Sequence, residues 1–276
     1  MKKIGFIDFY ISEWHANNYP EWIKNACKKF GLDYEIAYAW AEQDISPVTG
    51  ESTDEWCARM NVTRCATIEE VCEKSDYILI LAPSDPDKHL GYAEIALKYG
   101  KRTYIDKTFS PDLETAQKIF AVGKEYGSPF FSTSALRYAS EHDGKQNATA
   151  ITTTGGGGNL PEYIVHQAEM VVKTLGLGAK SVSGKKTGDL ITLTVNYDNG
   201  KSAVMNYAPA LPFSVMISKD GKTEMRVISS DFFGVLMEEI VKFYDTGVLP
   251  FNGNETLEVM KIRQMAVEEY EKLIKE

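Results

Sequence analysis

Tyr77-Ile78-Leu79-Ile80-Leu81-Ala82 is apolar at every position, and Pro83 follows at once. A strand that buries one face alternates apolar with polar, whereas a run apolar on both faces needs cover on both, the condition of a parallel strand between layers of helix. The same logic extends outward from this run. Upstream, Thr67 to Lys74 reads as a helix with Thr67 as N-cap and Glu70 completing a capping box. Before it come a strand from Tyr34 to Trp40, a helix from Glu21 to Phe30 stopped by Gly31, and a first strand from Lys3 to Phe9. Downstream, a helix from Lys88 to Tyr99 stops at Gly100, a strand runs from Arg102 to Ile105, a helix from Leu113 to Tyr126 stops at Gly127, and Pro129 to Ser132 forms another strand. Strict strand–helix alternation predicts a doubly wound parallel sheet with right-handed crossovers, which binds ligands at the carboxyl ends of its strands.

The pattern changes near residue 136. Leu190 to Tyr197 and Ser202 to Tyr207 alternate around the turn Asp198-Asn199-Gly200, and Ser214 to Ser218 and Thr223 to Ile228 alternate around Lys219-Asp220-Gly221-Lys222, so both pairs read as antiparallel hairpins. Helices at about Asp231 to Tyr244 and Glu255 to Lys275 close the chain; Phe233, Leu236, Met237, Ile240 and Val241 give the first an apolar stripe. The expected organisation is an α/β domain over 1–135 and an α+β domain with an open antiparallel sheet over 136–276, the C-terminal helix packing back on the first.

The 276 residues carry a formal net charge of -9, and the pI is near 5.1. A nucleic-acid partner needs a clustered basic surface to displace counterions, so this balance argues against one. Met1-Lys2-Lys3 leads straight into a short strand interrupted by Asp8, too short and polar for a signal-peptide core or a membrane span, which points to a cytoplasmic protein. Cys27, Cys57, Cys65 and Cys72 form no C-x-x-C pair and read as free thiols, and His15, His89, His142 and His166 lack metal-ligand spacing.

Between Asp76 and Arg137 lies an ordered set of landmarks: Ala82-Pro83-Ser84 after the apolar run, His89 shortly beyond, Asp106-Lys107-Thr108 closing the next strand, and Arg137. A second set is Gly155-Gly156-Gly157-Gly158, then Glu162 four positions before His166, a spacing that puts both on one face of a helix. On the residues alone His166, beside Val165 and Met170, reads equally as a packed histidine; Lys107 reads also as a solvated edge lysine, and Arg137 as the partner of a carboxylate. In this order and spacing the chain resembles the Gfo/Idh/MocA oxidoreductases, whose fourth strand ends in a small residue and Pro and whose fifth closes on E-K-P. The resemblance implies a Rossmann-type domain that binds NAD or NADP, and a sugar, inositol or similar polyol as substrate. It further implies His166 as acid/base, Lys107 polarising the substrate oxygen, and Glu162 orienting the site. Residues implied to line the cofactor are Asp8, Phe9, Tyr10, Ile11, Trp40, Glu42, Ala82, Pro83, Ser84, His89, Asp106 and Lys107. Glu42 is the candidate at the end of the second strand to bind ribose hydroxyls and so favour NAD over NADP, with Trp40 available to stack on adenine; both read equally as loop residues. The open sheet offers a dimer surface, so a homo-oligomer is expected.

One departure stands out. The G-x-G-x-x-G that should follow the first strand, so that bare backbone approaches the pyrophosphate, becomes Asp8, Tyr10 and Glu13. Two unit charges about 4 Å apart near a protein surface repel by roughly 4 kcal/mol, a several-hundredfold penalty on the usual pose. The glycines at 155–158 follow a strand at Thr149 to Thr154 and read as a flexible substrate-side loop instead of a phosphate cradle. Two other readings follow from the departure: a non-catalytic ligand-binding or regulatory relative that has lost the dinucleotide site, and a redox-neutral nicotinamide-dependent lyase.

Overall fold

In the computed structural model, which describes residues 1–275, the apolar run becomes a central strand, with Ile78, Leu79, Ile80 and Leu81 wholly buried. In chain order the first elements are β1 (Lys2–Asp8), α1 (Trp14–Phe30), β2 (Tyr34–Ala41), α2 (Thr53–Met60), β3 (Thr63–Arg64), α3 (Ile68–Lys74), β4 (Tyr77–Ile80), α4 (Lys88–Ala96), β5 (Thr103–Ile105), α5 (Leu113–Glu125) and β6 (Phe130–Phe131). The strands lie in the order β3-β2-β1-β4-β5-β6, and every pairing is parallel. This is the doubly wound order, with its topological switch point between β1 and β4.

Two local details differ from the sequence expectation. Helix α1 starts at Trp14, two turns before Glu21, and carries Pro20 inside it; proline reads as a helix start because it lacks an N–H, yet here it is the seventh helical residue, where the missing N–H forgoes the bond to the Ala16 carbonyl. Glu70 does not close a box on Thr67: the Thr67 hydroxyl caps the Glu70 amide at 3.2 Å, while the Glu70 carboxylate accepts from the Ala66 amide at 2.6 Å. The reciprocal box occurs instead on α2, between Ser52 and Glu55.

The second group of elements is β7 (Ala150–Gly155), α6 (Leu160–Leu175), β8 (Ala179–Thr187), β9 (Leu190–Tyr197), β10 (Ser202–Tyr207), β11 (Ser214–Lys219), β12 (Lys222–Val227), α7 (Phe232–Thr246) and α8 (Gly253–Leu273). Its sheet runs β12-β11-β7-β10-β9-β8. Both hairpins form in the expected register, Ser202 opposite Asn196 and Ser214 opposite Val227. The sheet is mixed, because β7 enters its middle parallel to β10. Helices α6 and α8 cover one face, where Ile151, Leu193, Val195, Ala203, Met205 and Ile217 join Ile164, Val171, Val259 and Ile262 in one core. On the alternate positions Thr152, Thr194 and Asn206 are half-buried and Met216 and Met225 exposed.

The chain folds as two units: Met1–Thr133 with Phe233–Pro250, and Ser134–Phe232 with Phe251–Glu276. Helix α7 belongs to the first because the Tyr244 hydroxyl donates to the Ile78 carbonyl at 2.6 Å, its ring stacks on Tyr77 at 4.7 Å, and Arg102 donates to the Tyr244 carbonyl. Helix α8 lies in the second unit, against α6 and β8.

All four cysteines are buried free thiols, and burial pushes Cys57 and Cys65 up to about 11 and Cys72 to about 12. Among the described residues no helix is long and apolar enough to cross a membrane. The tightest backbone approach in the first unit is at Gly5 of β1, where a Cβ would stand 2.3 Å from Val71 Cγ1 and 2.4 Å from Ser75 Oγ. Gly5→Ala is therefore expected to lower stability by about 1–3 kcal/mol through overpacking of α3 on β1; an unchanged thermal midpoint would contradict this packing.

Candidate functional site: the carboxyl edge of the parallel sheet

At a switch point the crevice between diverging strands is where such sheets take their ligands. Here a side chain spans it. Asp8 ends β1, and its Oδ1 accepts from the Phe9 amide at 2.7 Å and from the Ala82 amide just beyond β4 at 2.9 Å. Ala82 makes that contact with φ at 63°, a left-handed conformation uncommon for a residue with a Cβ. Asp8 is 1% exposed, and its Oδ2 is buried without a hydrogen-bond partner. Burial first, and then the nearby Glu13 carboxylate, push the Asp8 carboxyl well above its ordinary range.

Helix α1 points its first amides into the same region. Its N-cap is Glu13, in extended conformation, and the Glu13 carboxylate accepts from the His15 amide at 2.7 Å and from the Ala16 amide. Glu13 is buried, and burial raises its pKa despite these donors and His15. Two residues after the cap, His15 Nδ1 meets the Asp106 carboxylate. Asp106 ends the β5 side of the crevice and also accepts from Tyr19 at 3.2 Å, Tyr104 at 3.3 Å and the Lys107 amide at 2.8 Å. Burial alone would raise the Asp106 carboxyl, but His15 beside it, with the lysine after it, holds it below its usual value. The His15 ring stacks on Tyr19 at 5.0 Å. Preceding Glu13, Ser12 is fixed from both sides: its hydroxyl donates to Glu51 at 2.6 Å, and its carbonyl accepts from Ser46 at 2.6 Å. Arg59 in turn grips Glu51, holding that carboxylate at about 2.

The other residues named for the cofactor divide. Phe9 and Tyr10 are half-buried, and Lys88 lies over the Phe9 ring at 4.6 Å. Ile11 is buried. Trp40 stands edge-on to Tyr92 at 5.7 Å, and Glu42, at the end of β2, pairs with Lys88 and accepts from Tyr92 at 2.8 Å. The hydrogen bond from Lys88 keeps the Glu42 carboxyl below its ordinary value. Pro83 is buried and Ser84 exposed. His89 is wholly buried, with Nδ1 facing the Phe109 carbonyl at 3.0 Å and Nε2 facing the Leu81 carbonyl. Lys107 is half-buried at the carboxyl end of β5. Sequence reasoning did not single out His15 and Tyr19; their i, i+4 spacing on α1 was the available signal.

In the second unit His166 lies on α6, with Nδ1 at 2.7 Å from the Ser134 hydroxyl and its ring against Phe213 at 5.5 Å and Tyr163 at 5.8 Å. Glu162 sits one turn earlier, bonded to the N-cap Asn159 through backbone and side chain. Arg137 is a buried partner of Glu169, at 2.7 Å, and of Glu255. The glycines at 155–158 are a packed corner and not the flexible loop expected. A Cβ on Gly156 would stand 2.4 Å from the Ala208 carbonyl, one on Gly157 2.1 Å from the Tyr163 ring, and Tyr207 donates to the Gly157 carbonyl at 2.8 Å. Among the described residues no His/Cys/Asp/Glu group is arranged to hold a metal ion.

No protein-family model matches the sequence. The uncharacterized oxidoreductase YhhX of Escherichia coli K12 is 35% identical over 60 residues, covering 22% of this chain and 17% of that relative. Among solved structures the chain is similar to the UDP-N-acetylglucosamine 3-dehydrogenase of Acidithiobacillus ferrooxidans, 13% identical over 99% of this chain and 98% of that one, with a TM-score of 0.76. It is similar also to an NAD binding oxidoreductase from Klebsiella pneumoniae, 12% identical over 98% and 97% at 0.72. A third is the biliverdin reductase of Synechocystis sp. PCC 6803, solved with biliverdin and NADP+, 14% identical over 98% of each chain at 0.67. Along nearly the whole chain the fold is thus the one that these dehydrogenase and reductase structures share.

The Asp8 environment gives a measurable sign. A carboxyl whose folded pKa lies above its ordinary 3.8 contributes stability in its protonated form below that value and loses the contribution as pH rises through the raised one. Asp8→Asn keeps an oxygen for the Phe9 and Ala82 amides and does not titrate. Its stability relative to the parent should therefore grow from about pH 4 upward, by about 1.4 kcal/mol for each unit the carboxyl is raised. Denaturant unfolding across pH measures this, and a pH-independent difference would contradict it.

Proposed function

We propose that this chain is a nicotinamide-dependent oxidoreductase of the Gfo/Idh/MocA family acting on a sugar, inositol or similar polyol, as a cytoplasmic homo-oligomer. The observation that carries the reading is a dehydrogenase fold along nearly the entire chain that retains Lys107 at the carboxyl end of β5 and His166 on α6. When bound, the nicotinamide would supply the hydride acceptor or donor. The protein's part is the proton: His166, its ring oriented through Nδ1 by Ser134, serves as the acid/base for a substrate hydroxyl, and Lys107 is assigned to polarising a substrate oxygen. Glu162 orients the first turn of α6. Glu42 at the end of β2 favours NAD, since a 2′-phosphate would meet a carboxylate.

The residues do not fit a pyrophosphate in its usual place. The first α1 amides hold Glu13, and Asp8 bridges the crevice where bare backbone should lie. That observation favours a second reading, a relative that keeps the fold as a ligand-binding or regulatory module.

Calorimetric titration with NADH and NADPH separates the two. Micromolar binding supports the oxidoreductase, and no binding at millimolar cofactor supports the module. For the oxidoreductase, His166→Ala should lower turnover about 100- to 10,000-fold with cofactor affinity nearly intact, and unchanged turnover would remove His166 from the mechanism. Lys107→Ala should impair both rate and substrate binding, measured as kcat and KM; parental values would remove Lys107.

A further inference from the structure

The unpaired amides at the start of a helix donate to anionic oxygens, whether these come from a phosphate or from a carboxylate of the same chain, and an amide held by one is not open to the other. In α1 they already hold the Glu13 side chain, through the His15 and Ala16 amides. The backbone before it is fastened: Ser12 is bound to Glu51 and Ser46, and Glu51 to Arg59. The loop therefore offers no easy shift, and what can leave is the Glu13 side chain. A second carboxyl, Asp8, stands in the same crevice with a buried oxygen that no group satisfies.

Resting on the nicotinamide reading, we propose that Glu13 is an internal competitor for the dinucleotide, its carboxylate holding the α1 amides in the free protein and yielding them only when a pyrophosphate displaces it. The free chain thus carries its own occupant of the phosphate position. The dinucleotide must forfeit one N-cap to bind, and affinity is set by the difference between two anions on one pair of amides. Removing the carboxylate spares the bound state that loss and removes the repulsion, which raises affinity by about tenfold or more.

The test is calorimetric titration of NADH into the parent, Glu13→Gly and Glu13→Ser, the last keeping a neutral cap so that the helix remains intact. Thermal melts with and without NADH are read in parallel. Support is tighter binding by both variants, about tenfold or more, with a lower melting midpoint for Glu13→Gly alone that NADH restores. Binding by the variants and none by the parent would also support the competition, while counting against the nicotinamide reading for the natural chain. Equal affinity in all three would overturn the competition and leave that reading standing. Absence of binding in all three, with folded melts, would overturn both.

Discussion

A helix that aims its unpaired amides at the switch point of a parallel sheet must have them satisfied, and here Glu13 does so from within the chain. Much of the carboxyl edge follows from that choice. Burial, and after it the carboxylate on α1, pushes the neighbouring Asp8 carboxyl above its ordinary range, and its Oδ1 ties β1 to β4 through the Phe9 and Ala82 amides. His15, set beside the cap by the same helix start, reaches Asp106 and joins β5 to α1. This region of the chain is a buried and hydrogen-bonded junction. Tyr19 and Tyr104 complete it by donating to Asp106.

The two proposed reactive residues are held in different ways. Lys107 follows a carboxylate fixed by several donors, so its backbone position is set by the Asp106 junction. His166 takes its orientation from Ser134, Phe213 and Tyr163. Tyr163 is itself seated against Gly157, where only a missing side chain leaves room for its ring. The glycine run is therefore a packing device that places α6, and the buried Arg137 with Glu169 braces the same helix from the other side.

Much of this was legible in the sequence. The double-sided apolar run at Tyr77 implied the parallel sheet, Asp198-Asn199-Gly200 and Asp220-Gly221 marked both hairpins, and the landmarks around Lys107 and His166 pointed to the family of folds. What escaped has physical causes. Strand β8 is a Lys- and Ser-rich edge with no apolar alternation, as edges that must resist pairing often are. The first two turns of helix α1 were hidden by Pro20. The replacement of three glycines by Asp8, Tyr10 and Glu13 was visible as an absence, but that Glu13 turns back onto its own helix depends on an N-cap geometry that spacing alone does not reveal. His89 fits a motif position, and in the fold its two ring nitrogens face backbone carbonyls, a direction that a motif, which records order along the chain, does not specify.

The most direct measurement is an amide NMR titration of the isotope-labelled protein with NADH, following the His15 and Ala16 resonances and the Glu13 carboxyl. The account predicts that saturation moves both amides and the carboxyl together, as one anion replaces another at the start of α1. Saturable binding of NADH that leaves all three unmoved would contradict it.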